Sequence, residues 1–386
     1  MDRKLARDVL KKLFDEPLKN RELLIDRNKE LDFIERIVNF QPSGVYGVCG
    51  ETGVGKTTVL NFIELYKGTS IFLKLSEKES KEVIIGDLLY KLSKEILKTE
   101  KGKIANHAKK AIDFVLKEKE NSKSINGGLN APLNVSVSKN KGFTEKFNLY
   151  EAYEYIDSLI STLLKKHERL LLMIDELDKE RKEDVLNILD SLKNVFEKEN
   201  LIVVVSLPFS IYREYAKDLL RWNESGNLEN IIKGLLFVEP LSNEQIQQMI
   251  FRRLKDFPEI FDGKTLYDIA MYSDGNPRDA LWISQQIILH NLDREKITHD
   301  VARNTIKEIV KRYFKDFFTL TNLQRKVLEA ALNYENDKQS LIKNLEKSGI
   351  KRQTAYTYIR RLEDEGLLIE KDGKIRVSGK IMFFLL

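Results

Sequence analysis

Short apolar runs alternate with longer stretches of helical periodicity over the first two-thirds of the chain. Runs bounded by polar or turn residues predict buried strands, and apolar residues that recur every three or four positions predict helices that pack on them. The predicted strands are residues 44–49, 70–75, 170–174, 201–208 and 234–238. Strands that alternate with helices are typical of an α/β fold with a parallel sheet.

The connection between the second and third predicted strands is long. Helical patterns cover about 80–99 and 103–119, and alternating apolar and polar residues at 133–137 predict a β-hairpin within 129–147. We interpret about 76–148 as an insertion into the core. We expect its hairpin to lie outside that core and to contact a partner macromolecule, the alternative being a decoration that covers the domain.

The pattern changes again near residue 319. Helices are predicted at about 322–334, 338–347 and 351–365, followed by a hairpin around Asp372-Gly373. Three helices and a hairpin are typical of a winged helix. The predicted domains are a core at 1–240, an all-helical segment at 241–318 and a winged-helix domain at 319–386.

Composition limits the partners and the compartment. The chain has 386 residues, and 65 Lys and Arg against 60 Asp and Glu give a net charge of +5, so any nucleic-acid surface must be local. The single Cys49 excludes an internal disulfide, and the scattered histidines do not have the spacing of zinc ligands. No uninterrupted apolar run approaches 18 residues, so we expect a cytoplasmic protein that does not enter a membrane.

The strongest chemical signal is the pattern G-x-x-x-x-G-K-[ST], which begins at Gly50 between a predicted strand and a predicted helix. Such a loop directs backbone N–H groups at the β- and γ-phosphates of a nucleotide. Lys56 adds a cation there, and the Thr57 hydroxyl can bind Mg²⁺. The predicted ATP-binding loop consists of Gly50, Glu51, Thr52, Gly53, Val54, Gly55, Lys56, Thr57 and Thr58.

A second signal follows the third predicted strand. Five apolar residues at 170–174 end in Asp175 and Glu176, so a buried parallel strand would present two carboxylates at its C-terminal end. Asp175 is predicted to hold Mg²⁺ through water, and Glu176 to orient and deprotonate the attacking water. The alternative is a buried strand that simply ends in two solvated acids.

The segments around these two motifs resemble AAA+ ATPases, in particular archaeal origin-recognition initiators and their relatives. The resemblance covers about 20–318. It rests on residues 25–31, on the junction at 237–246 and on Gly275-Asn276-Pro277-Arg278. It implies a parallel-sheet P-loop core, a helical lid and ATP with Mg²⁺ as ligands, whereas the insertion at 76–148 departs from the initiators.

The resemblance also implies roles for single residues. Ile25 and Arg27 would fold over the adenine. Ser206, at the end of the fourth predicted strand, would read the γ-phosphate, although serine is also a common cap at a strand end. Pro277 would open a lid helix from which Arg278 reaches the phosphates.

The third helix of the predicted winged helix carries no acidic residue between 351 and 361. In this fold that helix enters the major groove, and the hairpin touches the backbone or the minor groove. The predicted contacts to double-stranded DNA are Lys351, Arg352, Gln353, Thr354, Thr357, Arg360, Arg361, Lys371, Lys374 and Arg376. A protein interface is the alternative, because residues 363–365 are acidic.

Together these features predict an ATP-dependent DNA-binding ATPase of the initiator type, which acts in DNA replication or for a mobile element and uses nucleotide as a slow switch. One alternative is a signal-transduction ATPase of the STAND type, with the winged helix as an internal module. Another is a DNA-loading or transposition-type ATPase. Self-association or a partner protein would use the core or the insertion, with Arg213 or Arg221 as the candidate to reach a neighbouring subunit's nucleotide.

Overall fold

The computed structural model describes residues 3–75, 80–125, 148–177, 182–220, 228–294, 296–314, 320–333, 336–371 and 373–385. The chain divides into two compact units. Residues 27–239 form the core unit, and residues 1–26 together with 240–386 form the second unit. In the described part of the chain, no helix is long and apolar enough to cross a membrane.

The predicted strands form one parallel sheet in the core unit, which confirms the α/β fold class. The strands are β1 (Gly44–Cys49), β2 (Thr69–Lys74), β3 (Leu170–Asp175), β4 (Leu201–Leu207) and β5 (Ile232–Phe237). Within the described residues their order is β2-β3-β4-β1-β5. Every residue of β1, β3 and β4 is buried, which explains why these strands are near-continuous apolar runs.

Helices connect the strands and cover the sheet. Over the first 240 residues they are α1 (Arg3–Lys12), α2 (Asn28–Phe40), α3 (Lys56–Asn61), α4 (Lys81–Thr99), α5 (Lys103–Ile125), α6 (Leu149–Lys166), α7 (Lys182–Phe196), α8 (Phe209–Leu219) and α9 (Leu228–Ile231). A 3₁₀ turn spans Arg21–Leu23.

Helices α4 and α5, from the predicted insertion, belong to the packed core. Leu88 and Leu92 of α4 and Ala108 and Ala111 of α5 are at most 1% exposed and lie in the same hydrophobic cluster as the sheet residues. The first half of the predicted insertion is therefore a structural layer of the core unit. The predicted hairpin at 129–147 lies outside the described residues.

A buried ionic cluster joins the end of α4 to the end of α6. The Glu100 side chain is 3% exposed, accepts a hydrogen bond from Lys166 Nζ and has its other oxygen 2.7 Å from His167 Nε2. The hydrogen bond from Lys166 lowers the pKa of Glu100, burial opposes this shift, and His167 adds to it. The ionised carboxylate is therefore a component of the folded state.

This cluster predicts a pH-dependent contribution to stability. Because the folded-state pKa of Glu100 lies below its ordinary value of 4.5, the contribution is present above pH 4.5 and is lost as the pH falls through the folded-state pKa. We expect Glu100→Gln to lower the free energy of unfolding by about 1 kcal/mol at pH 7, a modest loss because Lys166 is half exposed. Urea unfolding of both proteins at pH 7 and pH 4 should show the difference shrinking at the lower pH; an unchanged difference would contradict the assignment.

The second unit is built mainly of helices. After residue 240 these are α10 (Asn243–Arg253), α11 (Gly263–Ser273), α12 (Pro277–Leu289), α13 (His299–Phe314), α14 (Asn322–Asn333), α15 (Lys338–Lys347), α16 (Arg352–Asp364) and α17 (Gly379–Leu385). A small antiparallel sheet has the strands β6 (Asn336–Asp337), β7 (Leu368–Lys371) and β8 (Lys374–Val377). We call α10–α13 the lid and residues 320–385 the C-terminal segment.

The amino-terminal residues pack in the second unit rather than in the core, unlike the predicted domain at 1–240. The apolar face of α1, formed by Ala6 and Val9, and the following Leu13 are buried in one cluster with residues of the lid. Burial of this amphipathic face against the lid explains the difference. Helices α14, α15 and α16 and the β7–β8 hairpin surround a separate cluster, in agreement with the predicted element order.

Candidate functional site

The phosphate-binding loop joins the end of β1 to the start of α3. Gly53 and Gly55 have φ values of 92° and 105°, a left-handed conformation that favours glycine. Lys56 is 6% exposed, and its Nζ donates to the carbonyl oxygens of Gly50 and Glu51 at 2.9 Å each. The ammonium group is thus held inside the loop where phosphate oxygens would compete for it.

Two predicted magnesium ligands lie in direct contact beside this loop. Thr57, at the start of α3, donates its hydroxyl hydrogen to Asp175 Oδ2 at 2.7 Å, and Asp175 is 2% exposed at the end of β3. A hydroxyl and a carboxylate are oxygen ligands suited to Mg²⁺. Among the described residues no group of three or more His, Cys, Asp or Glu side chains could hold a metal ion. The Thr57 hydroxyl and the Asp175 carboxylate fit an ion that would take its remaining ligands from nucleotide and water.

Glu176 occupies a strained position next to the buried aspartate. Its φ is 76°, an uncommon value for a residue other than glycine, and its N–H donates to Ser206 Oγ at 2.9 Å. Ser206 is fully buried near the end of β4, so the structure brings together the three polar residues that were predicted at the ends of β3 and β4. Glu176 lies in a bend directly after the last residue of β3.

Lys74 is a neighbour of this site that sequence analysis missed. It ends β2 in register with Asp175, and its Nζ lies 3.2 Å from Glu176 Oε1. The Glu176 side chain is 12% exposed and the Lys74 side chain 61% exposed. From sequence alone, a lysine at the end of an edge strand is expected to point into solvent. Only the register of β2 with β3 shows that Lys74 lies beside the Glu176 carboxylate.

Arg27 contacts the backbone of the phosphate-binding loop. Its guanidinium donates to the carbonyl oxygens of Val54 at 3.0 Å and Glu239 at 2.9 Å, and pairs with Glu30 at 2.7 Å. The side chain is 6% exposed. Its predicted contact with adenine stays a prediction, as does that of Ile25, which is buried in the second unit.

Arg278 lies in the second unit at the start of a capped lid helix. The Asn276 side chain accepts from the Arg278 N–H at 3.1 Å, and Pro277 is the first helical residue, as predicted. The Arg278 side chain is half exposed and pairs with Asp15 at 2.7 Å. Its contact with the phosphates stays a prediction.

Of the two candidate arginines for a neighbouring subunit, Arg221 is outside the described residues.

The other candidate, Arg213, stacks on a ring within its own helix. Its guanidinium carbon lies 5.2 Å from the ring centre of Phe209. The Arg213 side chain thus has a cation–π partner in its own chain. A role at a neighbouring subunit stays a prediction.

Comparison with known proteins identifies the family. The model of the KAP family P-loop domain matches residues 30–276, which include the loop, Asp175, Glu176 and Ser206. The chain belongs to the KAP family. It is therefore a P-loop ATPase, as the two motifs predicted, and its use of nucleotide follows from the same match.

Individual relatives are distant. An uncharacterized ATP-binding protein of Methanocaldococcus jannaschii is 24% identical over 157 residues, which are 40% of this chain and only 42% of the length of that curated relative. The Walker-type ATPase of Pyrococcus abyssi shares the fold, with 15% identity, a TM-score of 0.52 and coverage of 97% of this chain and 99% of that chain. The ORC1 protein of Aeropyrum pernix in complex with DNA has 14% identity and a TM-score of 0.48, with coverage of 98% and 95%.

The predicted DNA contacts lie outside the KAP match, and their side chains differ in availability. Lys351, Arg352, Gln353, Arg360 and Lys374 are exposed, and Thr354 is half-buried. Two further side chains are engaged within the chain: Thr357 donates to the Gln353 carbonyl at 3.0 Å, and Arg361 pairs with Glu365 at 2.8 Å.

Arg376 differs most from its predicted role. It pairs with Asp274 of the lid at 2.8 Å, and its side chain is 30% exposed. The structure thus gives Arg376 a partner within the chain. The Lys371 side chain is outside the described residues.

Proposed function

We propose that this KAP-family ATPase binds double-stranded DNA through its C-terminal segment and couples ATP binding and hydrolysis to that engagement, as an initiator-type ATPase would. The observation that carries the proposal is the surface of α16. Arg352 and Arg360 are exposed on this helix, whereas Ala355, Ile359 and Leu362 face the hydrophobic cluster. A basic helix face opposite its packing face is suited to phosphates and base edges.

The elements around α16 support a winged helix. Helices α14 and α15 pack with α16 around one cluster, and the β7–β8 hairpin follows with Lys374 exposed at its tip. In a winged helix the third helix enters the major groove and the hairpin lies along the backbone. The proposed contact surface therefore consists of the exposed side chains Lys351, Arg352, Gln353, Arg360 and Lys374.

The nucleotide site would supply the switch. Bound MgATP provides the phosphoryl group that is cleaved. We propose that Lys56 moves from the carbonyl oxygens of the loop to the β- and γ-phosphates, and that Thr57 and Asp175 hold Mg²⁺. Glu176 would take the proton of the attacking water. The hydroxyl of Ser206 would hold Glu176 in place by accepting a hydrogen bond from its backbone N–H.

A charge-reversal experiment tests DNA binding. We expect Arg352→Glu with Arg360→Glu to weaken binding of all duplex sequences by roughly 10²-fold or more and to lower the dependence of log affinity on log salt concentration by about two, because two phosphate contacts are lost. Binding is measured by fluorescence anisotropy at salt concentrations between about 50 and 300 mM. Gln353→Ala should act mainly on preferred sequences if this side chain reads a base.

Lys311→Glu with Arg312→Glu is the matched control, since these exposed lid residues give the same change in net charge. Circular dichroism should show that both double variants remain folded. An equal loss of DNA affinity in both double variants would mean that the effect comes from net charge alone and not from the α16 surface. An unchanged affinity and salt dependence in the α16 variant would refute the proposal.

A second candidate has its own supporting observation. The C-terminal segment shares one compact unit with the lid, and Arg376 is used in that packing. Such an arrangement suits an internal module of a STAND-type signalling ATPase. In that case the wild-type protein would show no salt-dependent binding of duplex DNA.

A further inference from the structure

A partly buried carboxylate of the lid is bound by the C-terminal segment. Asp274 ends α11 with φ 50°, and its side chain is 18% exposed. Arg376 Nη1 donates to Asp274 Oδ1 at 2.8 Å, and the Gly379 N–H donates to both carboxylate oxygens at 3.0 and 2.9 Å. Burial raises the pKa of Asp274, while Arg376 and the Gly379 amide favour its ionised form. Charge-assisted hydrogen bonds of this kind are directional and strong.

Helix α17 joins the hydrophobic clusters on the two sides of this contact. Phe383 is fully buried in the lid cluster, whereas Ile381 is buried in the cluster of the C-terminal segment, and Met382 packs against both. Gly379 begins the helix so close to α11 that a Cβ atom there would lie 1.7 Å from the Met271 carbonyl oxygen. The lid and the C-terminal segment are therefore joined by close packing as well as by charge.

The same contact lies next to the turn that carries Arg278. Asp274 and Gly275 begin this turn, and the Gly275 carbonyl accepts from the Leu241 N–H at 2.8 Å. On the far side of Arg278, Asp279 forms an ion pair with Lys380 of α17. The C-terminal segment thus holds residues on both sides of Arg278.

We propose that Asp274, Asp279, Arg376, Gly379 and Lys380 form a latch that transmits the nucleotide-dependent state of the Arg278 turn to the C-terminal segment. A motion of the turn would carry α17 and the β7–β8 hairpin with it, because packed elements shift as units rather than deform. The inference rests on the proposed function, because it assumes that ATP binding is coupled to the C-terminal segment, and it takes Arg278, predicted from sequence to reach the phosphates, as the residue that responds to nucleotide.

Hydrogen–deuterium exchange on the full chain tests the latch without DNA. Exchange of the segment 374–385 is compared with no nucleotide and with saturating non-hydrolysable ATP analogue. In the wild type the analogue should change exchange of this segment. In Arg376→Gln, exchange of the segment should rise roughly tenfold, the effect of losing one charge-assisted hydrogen bond, and the response to the analogue should disappear. Asp274→Asn keeps an acceptor for the Gly379 N–H and should give the same result more weakly.

Lys343→Gln is the matched control, because Lys343 is exposed on α15 of the same C-terminal segment and contributes nothing to the latch. It should exchange and respond as the wild type does. A nucleotide response that persists in Arg376→Gln, or a wild type in which segment 374–385 ignores the analogue, would overturn the latch. Failure of the proposed function has a different signature, namely a wild type that shows the exchange response and does not bind duplex DNA.

Discussion

Lys56→Ala is expected to abolish stable ATP binding, whereas Glu176→Gln should bind ATP and lose hydrolysis. Lys56 is the buried ammonium of the phosphate-binding loop, so its removal takes away a ground-state contact to the terminal phosphates. Glu176 lies beside the site at the end of β3, and its amide analogue cannot accept the proton of water. Loss of a general base lowers kcat by on the order of 10²–10⁴-fold with little effect on binding.

Nucleotide affinity by calorimetry and single-turnover hydrolysis measure the two effects separately. Lys109→Ala and Glu154→Gln are suitable controls, because both side chains are exposed on helices of the core unit. They should leave affinity and rate within about twofold of the wild type. Equal nucleotide affinities in Lys56→Ala and Glu176→Gln would refute the division of roles between these residues.

The parts of this structure that could be predicted are those specified by local sequence. Strands β1, β3 and β4 are short apolar runs because helices bury both faces of the sheet, and this burial is visible in the sequence itself. The loop at 50–58 and the pair Asp175 and Glu176 are contiguous motifs whose residue types follow from phosphate and metal chemistry. The family match at residues 30–276 includes both motifs.

The contacts that were missed join residues far apart in the chain. Arg27 braces Val54 and Glu239 over 27 and 212 positions, and Arg376 meets Asp274 over 102. In the sequence, each of these arginines looks available to bind a ligand. Only the tertiary fold shows that backbone or carboxylate oxygens of the chain already accept its hydrogen bonds. Intramolecular partners of this kind carry no local signal, because any exposed-looking arginine could have them.

Helix α17 was missed for a different reason. A helix at the surface of one core has an apolar stripe and a polar face, which gives the periodicity that sequence analysis uses. Residues 381–385 contact the two clusters, so apolar residues occupy all five positions and the period disappears. The absence of a polar face, which concealed the helix, is the property that lets it join the lid to the C-terminal segment.

Gly379→Ala is expected to lower the free energy of unfolding by about 2–3 kcal/mol. Its added Cβ would lie 1.7 Å from the Met271 carbonyl oxygen and 2.6 Å from the carbonyl carbon, which are backbone atoms of α11 and cannot rotate away. Either α17 or α11 must move, and the hydrogen bonds from Gly379 to Asp274 lengthen in both cases. Because Phe383 and Ile381 follow in the same helix, the displacement also disturbs two hydrophobic clusters.

Gly263→Ala is the matched control for this substitution. Gly263 also begins a helix, its φ likewise lies outside the left-handed region, and nothing lies within 4 Å of its added Cβ. That variant should be neutral or more stable by about 0.4–1 kcal/mol, since alanine restricts the unfolded chain. Guanidinium unfolding followed by circular dichroism, with hydrogen exchange of the segment 374–385, measures both effects. If Gly379→Ala unfolded at the same denaturant concentration as Gly263→Ala and kept its exchange protection, α17 would not be held against α11 as closely as the structure shows, and the latch would lose its packing support.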